Sequence, residues 1–557
     1  MVTHLHPGPA ANLIERTTSA YGYPLLVKHL LHTSLAHAPG QEIVYRDLKR
    51  YDYRSLRERI GRLASTLALL GVEAGDTVAV MDWDSHRYLE CYFAVPMMGA
   101  VLQTVNVRLS PEQILYTLNH AAAKVVLAHR DFLPVLEEIK DRIETVKTFV
   151  LLADTDHRPT SSLALTAEYE ELLGSSSAEY DFRDFDENTR ATTFYTTGTT
   201  GLPKGVYFSH RQLVLHTLAG LAALGTAASG QRFHRGDVYM PITPMFHVHA
   251  WGIPYMATVM GVKQVYPGRY APDVLLRLIH AEKVTFSHCV PTILHMLLGS
   301  PASQAVDLTG FKMIIGGSAL PKGLARMALA RGIDIFAGYG MSETCPILTI
   351  SQLTPAMLEG EVEDQMDLRV KAGRPIPLVD LRIVDEELHD LPRDGKAAGE
   401  VVVRAPWLTQ GYLNDRQSSE QLWRGGYLHT NDIANIDVDG YVGITDRIKD
   451  VIKSGGEWIS SLEIEDILSQ HPCVSEVAVI GVPDERWGER PLALIVCKPG
   501  HADKITEDDI KAHVQGYADK GIVSKWAVPS RVQTLEALDK TSVGKLDKKV
   551  LRQKYAR

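Results

Sequence analysis

Cysteine is scarce in this sequence, and its spacing offers neither a disulfide framework nor a zinc site. The chain has 557 residues but only five cysteines, and no two of them form a CxxC pair. An odd, scattered set of thiols is typical of a reducing compartment. We therefore expect a cytoplasmic protein without a structural zinc ion.

Long apolar runs and early blocks of positive charge are also missing. No run of eighteen apolar residues occurs, so no membrane-spanning helix is expected. The first residues lack a basic segment followed by an apolar core, which predicts no signal peptide. The net charge is −9, and basic residues concentrate only at the C-terminal end, so nucleic acid is not an expected partner. Peripheral membrane contact through that basic end stays open.

What is present is typical of a large soluble protein with more than one domain. Hydrophobic residues make up 45 % and charged residues 22 % of the chain. Leucines and isoleucine recur at helical spacing over residues 54–70, and a buried strand is indicated at residues 77–81. Helix-like and strand-like segments continue to alternate, which predicts α/β layers with largely parallel sheets. Residues 161–186 are polar and acidic and are interpreted as a surface connection.

A glycine- and threonine-rich segment at residues 195–205 is the strongest candidate for a phosphate site. It reads YTTGTTGLPKG and lies between two strand-like runs. Backbone N–H groups and hydroxyls in such a loop bind anions, and Lys204 adds a point charge. The common P-loop has glycine before its lysine and Ser or Thr after it, whereas Pro203 and Gly205 stand there, which disfavours a P-loop kinase or GTPase. A surface hairpin with a polar tip is the alternative.

A second candidate cluster is GYGMSET at residues 338–344, directly after a strand-like run. It is predicted to lie at the carboxyl end of a sheet strand, where ligands bind in α/β folds. Tyr339 could stack on a base, a hydroxyl could reach a phosphate, and Glu343 could hold Mg²⁺. A tight turn with capping Ser and Glu residues would explain the same pattern in isolation.

Three charged motifs follow toward the C-terminus. Asp432 could accept hydrogen bonds from both hydroxyls of a ribose, or could simply belong to a turn. Residues 446–458 read as an exposed charged linker. Lys545 follows a glycine on an irregular stretch, which indicates a lysine at a flexible tip or one lysine of a basic helix.

The aromatic, apolar segment PITPMFHVHAWG at residues 241–252 is a candidate pocket wall. His247 and His249 could suggest a metal site. No Cys, Asp or Glu accompanies them at ligand spacing, however, so core or pocket wall is the preferred interpretation.

Together these motifs resemble, in order, those of the AMP-forming adenylating enzymes: acyl-CoA synthetases, firefly luciferases and peptide-synthetase adenylation domains. The resemblance covers nearly the whole chain. It implies an α/β protein with a large N-terminal domain at residues 1–445, made of two α/β layered subdomains and a small β subdomain. A hinge at residues 446–451 would join it to a small, mobile α+β C-terminal domain at residues 452–557.

The resemblance also implies roles for individual residues. The catalytic set would be Lys545, Lys204, Glu343 and His247, with Glu343 as the Mg²⁺ ligand. The residues that contact ATP or CoA would be Thr196, Thr197, Gly198, Thr199, Thr200, Gly316, Gly317, Tyr339, Ser342, Thr344, Asp432, Arg447, Lys453, Gly455 and Gly456. The hinge residue would be Lys449, and His247 and Trp251 would border the acyl site, with Trp251 as its gate. The family commonly has glycine where Asn431 stands, a mild departure because asparagine tolerates positive φ.

The resemblance to bacterial long-chain fatty acyl-CoA synthetases implies a fatty acid, ATP, Mg²⁺ and coenzyme A as reactants or cofactors, and a homodimer. Methylthiopropionate-CoA ligases share much of the signature, so a short, methylthio or aryl acid is the alternative substrate. An acyl-AMP ligase that loads a carrier protein and an inactive nucleotide-binding protein are two further alternatives. No obvious insertion after the main domain supports the first. The second is disfavoured by the joint presence of Lys204, Glu343, Asp432, Arg447 and Lys545.

Overall fold

The computed structural model describes residues 14–155, 159–196, 202–228, 230–454, 457–501, 505–542 and 544–556. The strands are numbered along the chain: β1 Glu42–Tyr45, β2 Lys49–Asp52, β3 Thr77–Met81, β4 Val101–Thr104, β5 Ala123–His129, β6 Thr148–Leu152, β7 Leu165–Glu168, β8 Arg190–Thr196, β9 Lys204–Ser209, β10 Val238–Pro241, β11 Lys263–Tyr266, β12 Phe286–Cys289, β13 Lys312–Ile315, β14 Asp334–Gly340, β15 Ile347–Ile350, β16 Arg374–Pro375, β17 Asp380–Val384, β18 Gly399–Arg404, β19 Leu428–Ile436, β20 Val442–Arg447, β21 Ile452–Ser454, β22 Glu457–Ile459, β23 Val474–Asp484, β24 Gly488–Cys497 and β25 Arg531–Thr534.

The helices are numbered in the same way: α1 His32–His37, α2 Tyr53–Leu69, α3 His86–Met97, α4 Pro111–His120, α5 Leu133–Ile139, α6 Tyr169–Ser175, α7 His210–Gly225, α8 Val248–Trp251, α9 Ile253–Met260, α10 Pro272–Glu282, α11 Pro291–Gly299, α12 Lys322–Ala330, α13 Pro355–Leu358, α14 Val362–Val370, α15 Arg416–Leu422, α16 Ser461–Ser469, α17 Glu507–Asp519 and α18 Lys548–Tyr555. No helix in the described part of the chain combines the length and the apolar character needed to cross a membrane.

Two large sheets form the body of the N-terminal part. The first has the order β7-β6-β5-β3-β4-β8-β9 and is parallel except for the β8–β9 hairpin. The second has the order β16-β15-β14-β13-β12-β10-β11-β1-β2, with a parallel centre and antiparallel edges. Helix α3 is buried over its whole length because it packs against strands of both sheets. The predicted pair of α/β layers is therefore confirmed.

Two smaller sheets complete the molecule. Strands β17-β18-β19-β20 form an antiparallel sheet, the predicted small β subdomain. Strands β22-β21-β24-β23, with β25 beside β24, form the sheet of the C-terminal part, which α16, α17 and α18 cover. β20 ends at Arg447 and β21 begins at Ile452. The domain limits at residues 445 and 451 stay predictions of the sequence.

The interpretation of residues 161–186 as a plain connection is wrong. This stretch contains β7, which extends the first sheet beside β6, and then α6. Tyr169 and Leu173 of α6 are buried, and the Tyr169 hydroxyl donates to Glu90 at 2.5 Å. A few apolar residues among many polar ones are enough here, because only one face of an edge element meets the core.

Candidate active site

The described ends of the glycine- and threonine-rich segment lie on two paired strands: Tyr195 and Thr196 end β8, and Lys204 and Gly205 begin β9. Thr196 pairs with Lys204 as the last register pair of the two strands. The Lys204 ammonium donates to Ser418 Oγ at 2.8 Å and lies 4.7 Å from the centre of the Tyr412 ring. The four predicted phosphate-contacting residues Thr197, Gly198, Thr199 and Thr200 lie outside the described residues.

Tyr412 contacts two predicted catalytic residues, Lys204 and Glu343, and was not among the site residues predicted from the sequence. Its ring faces Lys204, and its hydroxyl donates to Glu343 Oε1 at 2.7 Å. Leu413 N donates to the Gly205 carbonyl at 2.8 Å, which fixes this segment beside β9. Tyr412 is distant in sequence from both partners, and only the preceding glycine marks a turn there, so no local pattern identifies it.

Glu343 and Thr344 lie in the turn after β14, where the GYGMSET cluster was predicted to be. Glu343 is buried, and burial raises the pKa of its carboxyl, while Tyr412, Lys545 and Lys204 act in the opposite direction. The Thr344 hydroxyl donates to carbonyls of its own turn, including that of Met341 at 3.1 Å. Thr344 thus shapes the turn, and Ser342 begins it.

Asp432 and Tyr339 are in contact, and the site that they form with Glu343 and Lys545 is called the cleft below. The Tyr339 hydroxyl donates to Asp432 Oδ2 at 2.7 Å, and Arg447 Nε lies 3.4 Å from Asp432 Oδ1. Burial raises the pKa of Asp432, whereas Arg447 and Tyr339 stabilise its charged form. Asn431 has a φ of 59°, the left-handed conformation that asparagine accepts more readily than most residues.

Lys545 comes from the C-terminal part of the chain and reaches into this cleft. Burial lowers the pKa of Lys545 to about 8, and the Arg447 charge acts in the same direction, while Asp432 and Glu343 oppose the shift. Its side chain passes Gly317, where a Cβ would lie 2.9 Å from Lys545 Cε. The structure therefore brings Lys545 together with the groups of the N-terminal part that sequence analysis selected.

Trp251 forms one wall of the site next to Gly316. A Cβ on Gly316 would lie 3.0 Å from Cη2 of the indole, and the Trp251 and His288 rings lie 5.0 Å apart between centres. A side chain therefore lies against each of the two neighbouring glycines: Trp251 lies against Gly316, and Lys545 lies against Gly317. Burial, followed by the Lys545 charge, lowers the pKa of His247 to about 3, so its imidazole is neutral at pH 7.

The backbone that carries Trp251 is unusual. Residues 248–251, the segment numbered α8, all have positive φ, between 47° and 59°, so this segment is a left-handed turn and not a right-handed helix. All four side chains are buried. A left-handed turn costs roughly 1–2 kcal/mol per non-glycine residue, so the surrounding packing must hold it. This turn could not be predicted from the sequence, because none of the four residues favours positive φ.

The segment predicted as a hinge is bonded at both of its ends to the C-terminal part of the chain. Asp446 accepts hydrogen bonds from Ser461 N and Oγ at 2.6 and 2.7 Å. Asp450 accepts from Arg552 at 2.6 Å. Lys449 is exposed between these contacts. The predicted CoA-contacting residue Lys453 lies on β21, while Gly455 and Gly456 lie outside the described residues.

The chain is similar to known proteins over nearly its whole length. Residues 31–413 match the family described as AMP-binding enzyme, and residues 463–545 match the AMP-binding enzyme C-terminal domain. The chain is 41 % identical over 547 residues to a long-chain-fatty-acid–CoA ligase of Thermus thermophilus, covering 98 % of this chain and 95 % of the relative. It is 37 % identical over 544 residues to a 3-methylmercaptopropionyl-CoA ligase of Ruegeria lacuscaerulensis, covering 96 % and 97 %. The solved structure of ATP-bound MatB from Rhodopseudomonas palustris is 25 % identical, with a TM-score of 0.78, covering 95 % of this chain and 98 % of that one.

Proposed function

This chain belongs to the AMP-binding enzyme family and carries that family's C-terminal domain, and on that premise we propose that it is a fatty acid–CoA ligase. The observation that carries the proposal is the place of Lys545: its side chain passes beside Gly317, and the charges of Asp432, Arg447 and Glu343 act on its pKa. A lysine there can neutralise charge while a carboxylate approaches the α-phosphate of ATP.

In the first half-reaction, a carboxylate oxygen of the acid forms a bond to the α-phosphorus of ATP. The bond from that phosphorus to the bridging oxygen of the β-phosphate breaks, which gives acyl-AMP and pyrophosphate. Lys545 stabilises the negative charge of both reacting groups. Asp432 and Arg447 hold the ribose, Tyr339 stacks on adenine, and the Thr196–Lys204 hairpin holds the departing phosphates.

Mg²⁺ is part of this proposal, with Glu343 as its ligand. Glu343 fits this role because it offers carboxylate oxygen, the ligand type that Mg²⁺ prefers. Glu343 is also buried, which disfavours its negative charge unless a cation compensates it. When bound, the ion would neutralise phosphate charge. Tyr412 orients the carboxylate through its hydrogen bond to Oε1.

In the second half-reaction, we expect the C-terminal part to rotate about Lys449 and withdraw Lys545. The CoA sulfur then bonds to the acyl carbonyl carbon, the bond from that carbon to the AMP phosphate oxygen breaks, and the thiol proton is released. Residues Lys453, Gly455 and Gly456 would lie along CoA. One site thus performs two reactions by exchanging the residues that cover it.

The acyl substrate is proposed to be a medium- or long-chain fatty acid, which enters between His247 and Trp251. The identity to the Thermus thermophilus ligase supports this choice. The relative from Ruegeria lacuscaerulensis supports 3-methylmercaptopropionate, or another short acid, as the second candidate. A cytoplasmic location is supported by the five free thiols among the described residues. A homodimer is proposed from the resemblance, and peripheral membrane contact is proposed from the basic C-terminal end.

The test is pyrophosphate release from ATP with straight-chain acids from about C3 to C18, followed by CoA consumption. We expect acid-dependent release that is greatest above about C6, and formation of the thioester with free CoA. Lys545→Ala should slow acyl-AMP formation by about 10²–10³-fold and spare thioester formation from supplied acyl-AMP. A preference for the shortest acids would replace the fatty acid by the second candidate, and absence of release with every acid would remove the ligase assignment.

A further inference from the structure

The described residues Thr541, Ser542, Gly544 and Lys545 belong to a turn with its own hydrogen bonds, called the 541–545 turn below. Thr541 N donates to the Lys545 carbonyl at 2.6 Å, and Gly544 N donates to the Thr541 carbonyl at 2.9 Å. Lys545 N also donates to Thr541 Oγ1 at 3.2 Å. These bonds fix the shape of the turn. They do not fix its position relative to the N-terminal part, where the ligands are proposed to bind.

Three side chains of the N-terminal part bond to this turn. Asn106 Nδ2 donates to Ser542 Oγ at 2.9 Å, and Arg108 Nη1 donates to the Ser542 carbonyl at 3.1 Å. On the opposite side, Thr292 Oγ1 donates to the Gly544 carbonyl at 2.7 Å. The first two follow β4 and the third begins α11, so the turn is held from two separate walls of the cleft.

A second hydrogen bond orients the Asn106 side chain for its contact with Ser542. Its side chain is only 6 % exposed, and its Oδ1 accepts a hydrogen bond from Arg108 N at 3.1 Å. That bond fixes the amide orientation and leaves Nδ2 directed at Ser542. A buried amide group oriented in this way loses one partner whenever the C-terminal part moves away.

A second contact between the two parts lies elsewhere and cannot replace these bonds. Lys322 N, at the start of α12, donates to Asp466 Oδ1 at 3.0 Å, and Arg326 donates to Gln470 at 3.3 Å. Both contacts hold α16, in the body of the C-terminal part. They do not touch the turn that carries the lysine.

We propose that Asn106, Arg108 and Thr292 are positioning residues that seat the 541–545 turn and so place Lys545 for acyl-AMP formation. This proposal rests on the proposed two-step function. The three residues act through Lys545, since a displacement of about 1 Å in a reacting group can cost about 100-fold in rate. The same bonds are absent from any arrangement in which the turn has left the cleft, so they favour the first half-reaction over the second.

The experiment measures the two half-reactions separately in the full-length protein. Asn106→Ala, Thr292→Val and the double variant are compared with the parent protein. The rates are single-turnover acyl-AMP formation with saturating ATP and thioester formation from supplied acyl-AMP and CoA. We expect each single change to slow acyl-AMP formation about 5- to 10-fold, the loss expected from one hydrogen bond of a positioned group, and to leave thioester formation unchanged or faster. Thr292→Ser should restore the rate because it keeps the hydroxyl.

Matched controls lose an equivalent hydrogen bond elsewhere in the N-terminal part. Asn119 Nδ2 donates to the Arg142 carbonyl at 3.0 Å, and Thr145 Oγ1 donates to the Ala123 carbonyl at 2.8 Å. Asn119→Ala and Thr145→Val should leave the ratio of the two half-reactions unchanged, even if they lower the Tm.

The outcomes separate this proposal from the function on which it rests. A parent protein without acid-dependent pyrophosphate release overturns both. A parent protein with such release, whose double variant forms acyl-AMP at the parental rate, overturns the positioning role alone. Equal slowing of both half-reactions also overturns it, because that pattern would come from general destabilisation.

Discussion

Gly317 and the side chain of Lys545 occupy adjoining space: a Cβ on Gly317 would lie 2.9 Å from Lys545 Cε and 3.5 Å from Nζ. The glycine also has a φ of 79°. Because Gly317 of the N-terminal part has no side chain, the side chain of Lys545 from the C-terminal part can pass beside it into the cleft. This relationship makes the arrangement for acyl-AMP formation sensitive to one added methyl group.

Gly317→Ala should slow acyl-AMP formation by at least about 10-fold and have much less effect on thioester formation from supplied acyl-AMP. The added methyl group displaces Lys545, which acts in the first step alone, and misplacing such a group is costly. Gly310→Ala is the matched control: Gly310 has a φ of 76°, but nothing lies within 4 Å of its Cβ position. Both variants carry the strain of a positive φ, and only Gly317→Ala blocks the lysine. Similar rates for the two variants would contradict the steric explanation.

The rate of acyl-AMP formation should depend on the charge of Lys545. Since burial lowers the pKa of Lys545 to about 8, the ammonium is charged below that pH and loses its proton above it. The kcat/KM for ATP should therefore fall as the pH rises through about 8, because this parameter reports the free enzyme. Lys545→Arg should lack this alkaline fall, whatever its absolute rate, since arginine keeps its charge. A fall of the same size in the Lys545→Arg variant would assign the titration to another group.

Lys204 and Tyr412 should matter mainly before pyrophosphate leaves. Lys204→Ala is expected to raise the KM for ATP and slow acyl-AMP formation, with no increase in the KM for acyl-AMP in the thioester step. Tyr412→Phe keeps the ring that faces Lys204 and removes the hydrogen bond to Glu343, whereas Tyr412→Leu removes both. We expect Tyr412→Leu to have the larger effect on the KM for ATP, because a cation–π contact contributes about 0.5–2 kcal/mol. Steady-state pyrophosphate release at varied ATP concentration checks this order.

Lys449→Pro should separate the two half-reactions by restricting rotation at the hinge. Proline fixes φ near −65°, so one arrangement of the C-terminal part should persist. One half-reaction is then expected to run at a near-normal rate while the other falls by about 10-fold or more. Lys449→Ala keeps the backbone freedom and should support both. If Lys449→Pro performs both half-reactions normally, the pivot lies at another residue.

Sequence reasoning reached much of the fold because helix and strand periodicity is local. The predicted strand at residues 77–81 coincides with β3, and the helical spacing over residues 54–70 corresponds to α2. Elements with few apolar residues, such as β7 and α6, escaped because their burial depends on neighbours far along the chain.

The family motifs and the residue types that carry the proposed chemistry can be identified from the sequence, because these are encoded at short, fixed spacing. Lys204, Glu343, Asp432 and Lys545 were each selected because their motifs match the pattern of the family. Which of these residues lie close together depends on the tertiary structure. In that structure Tyr412 lies between Lys204 and Glu343, and Lys545 passes beside Gly317. The 541–545 turn is hydrogen-bonded to Asn106 and Thr292. These relationships depend on packing between segments 69 to 436 residues apart, and no local pattern in the chain records them.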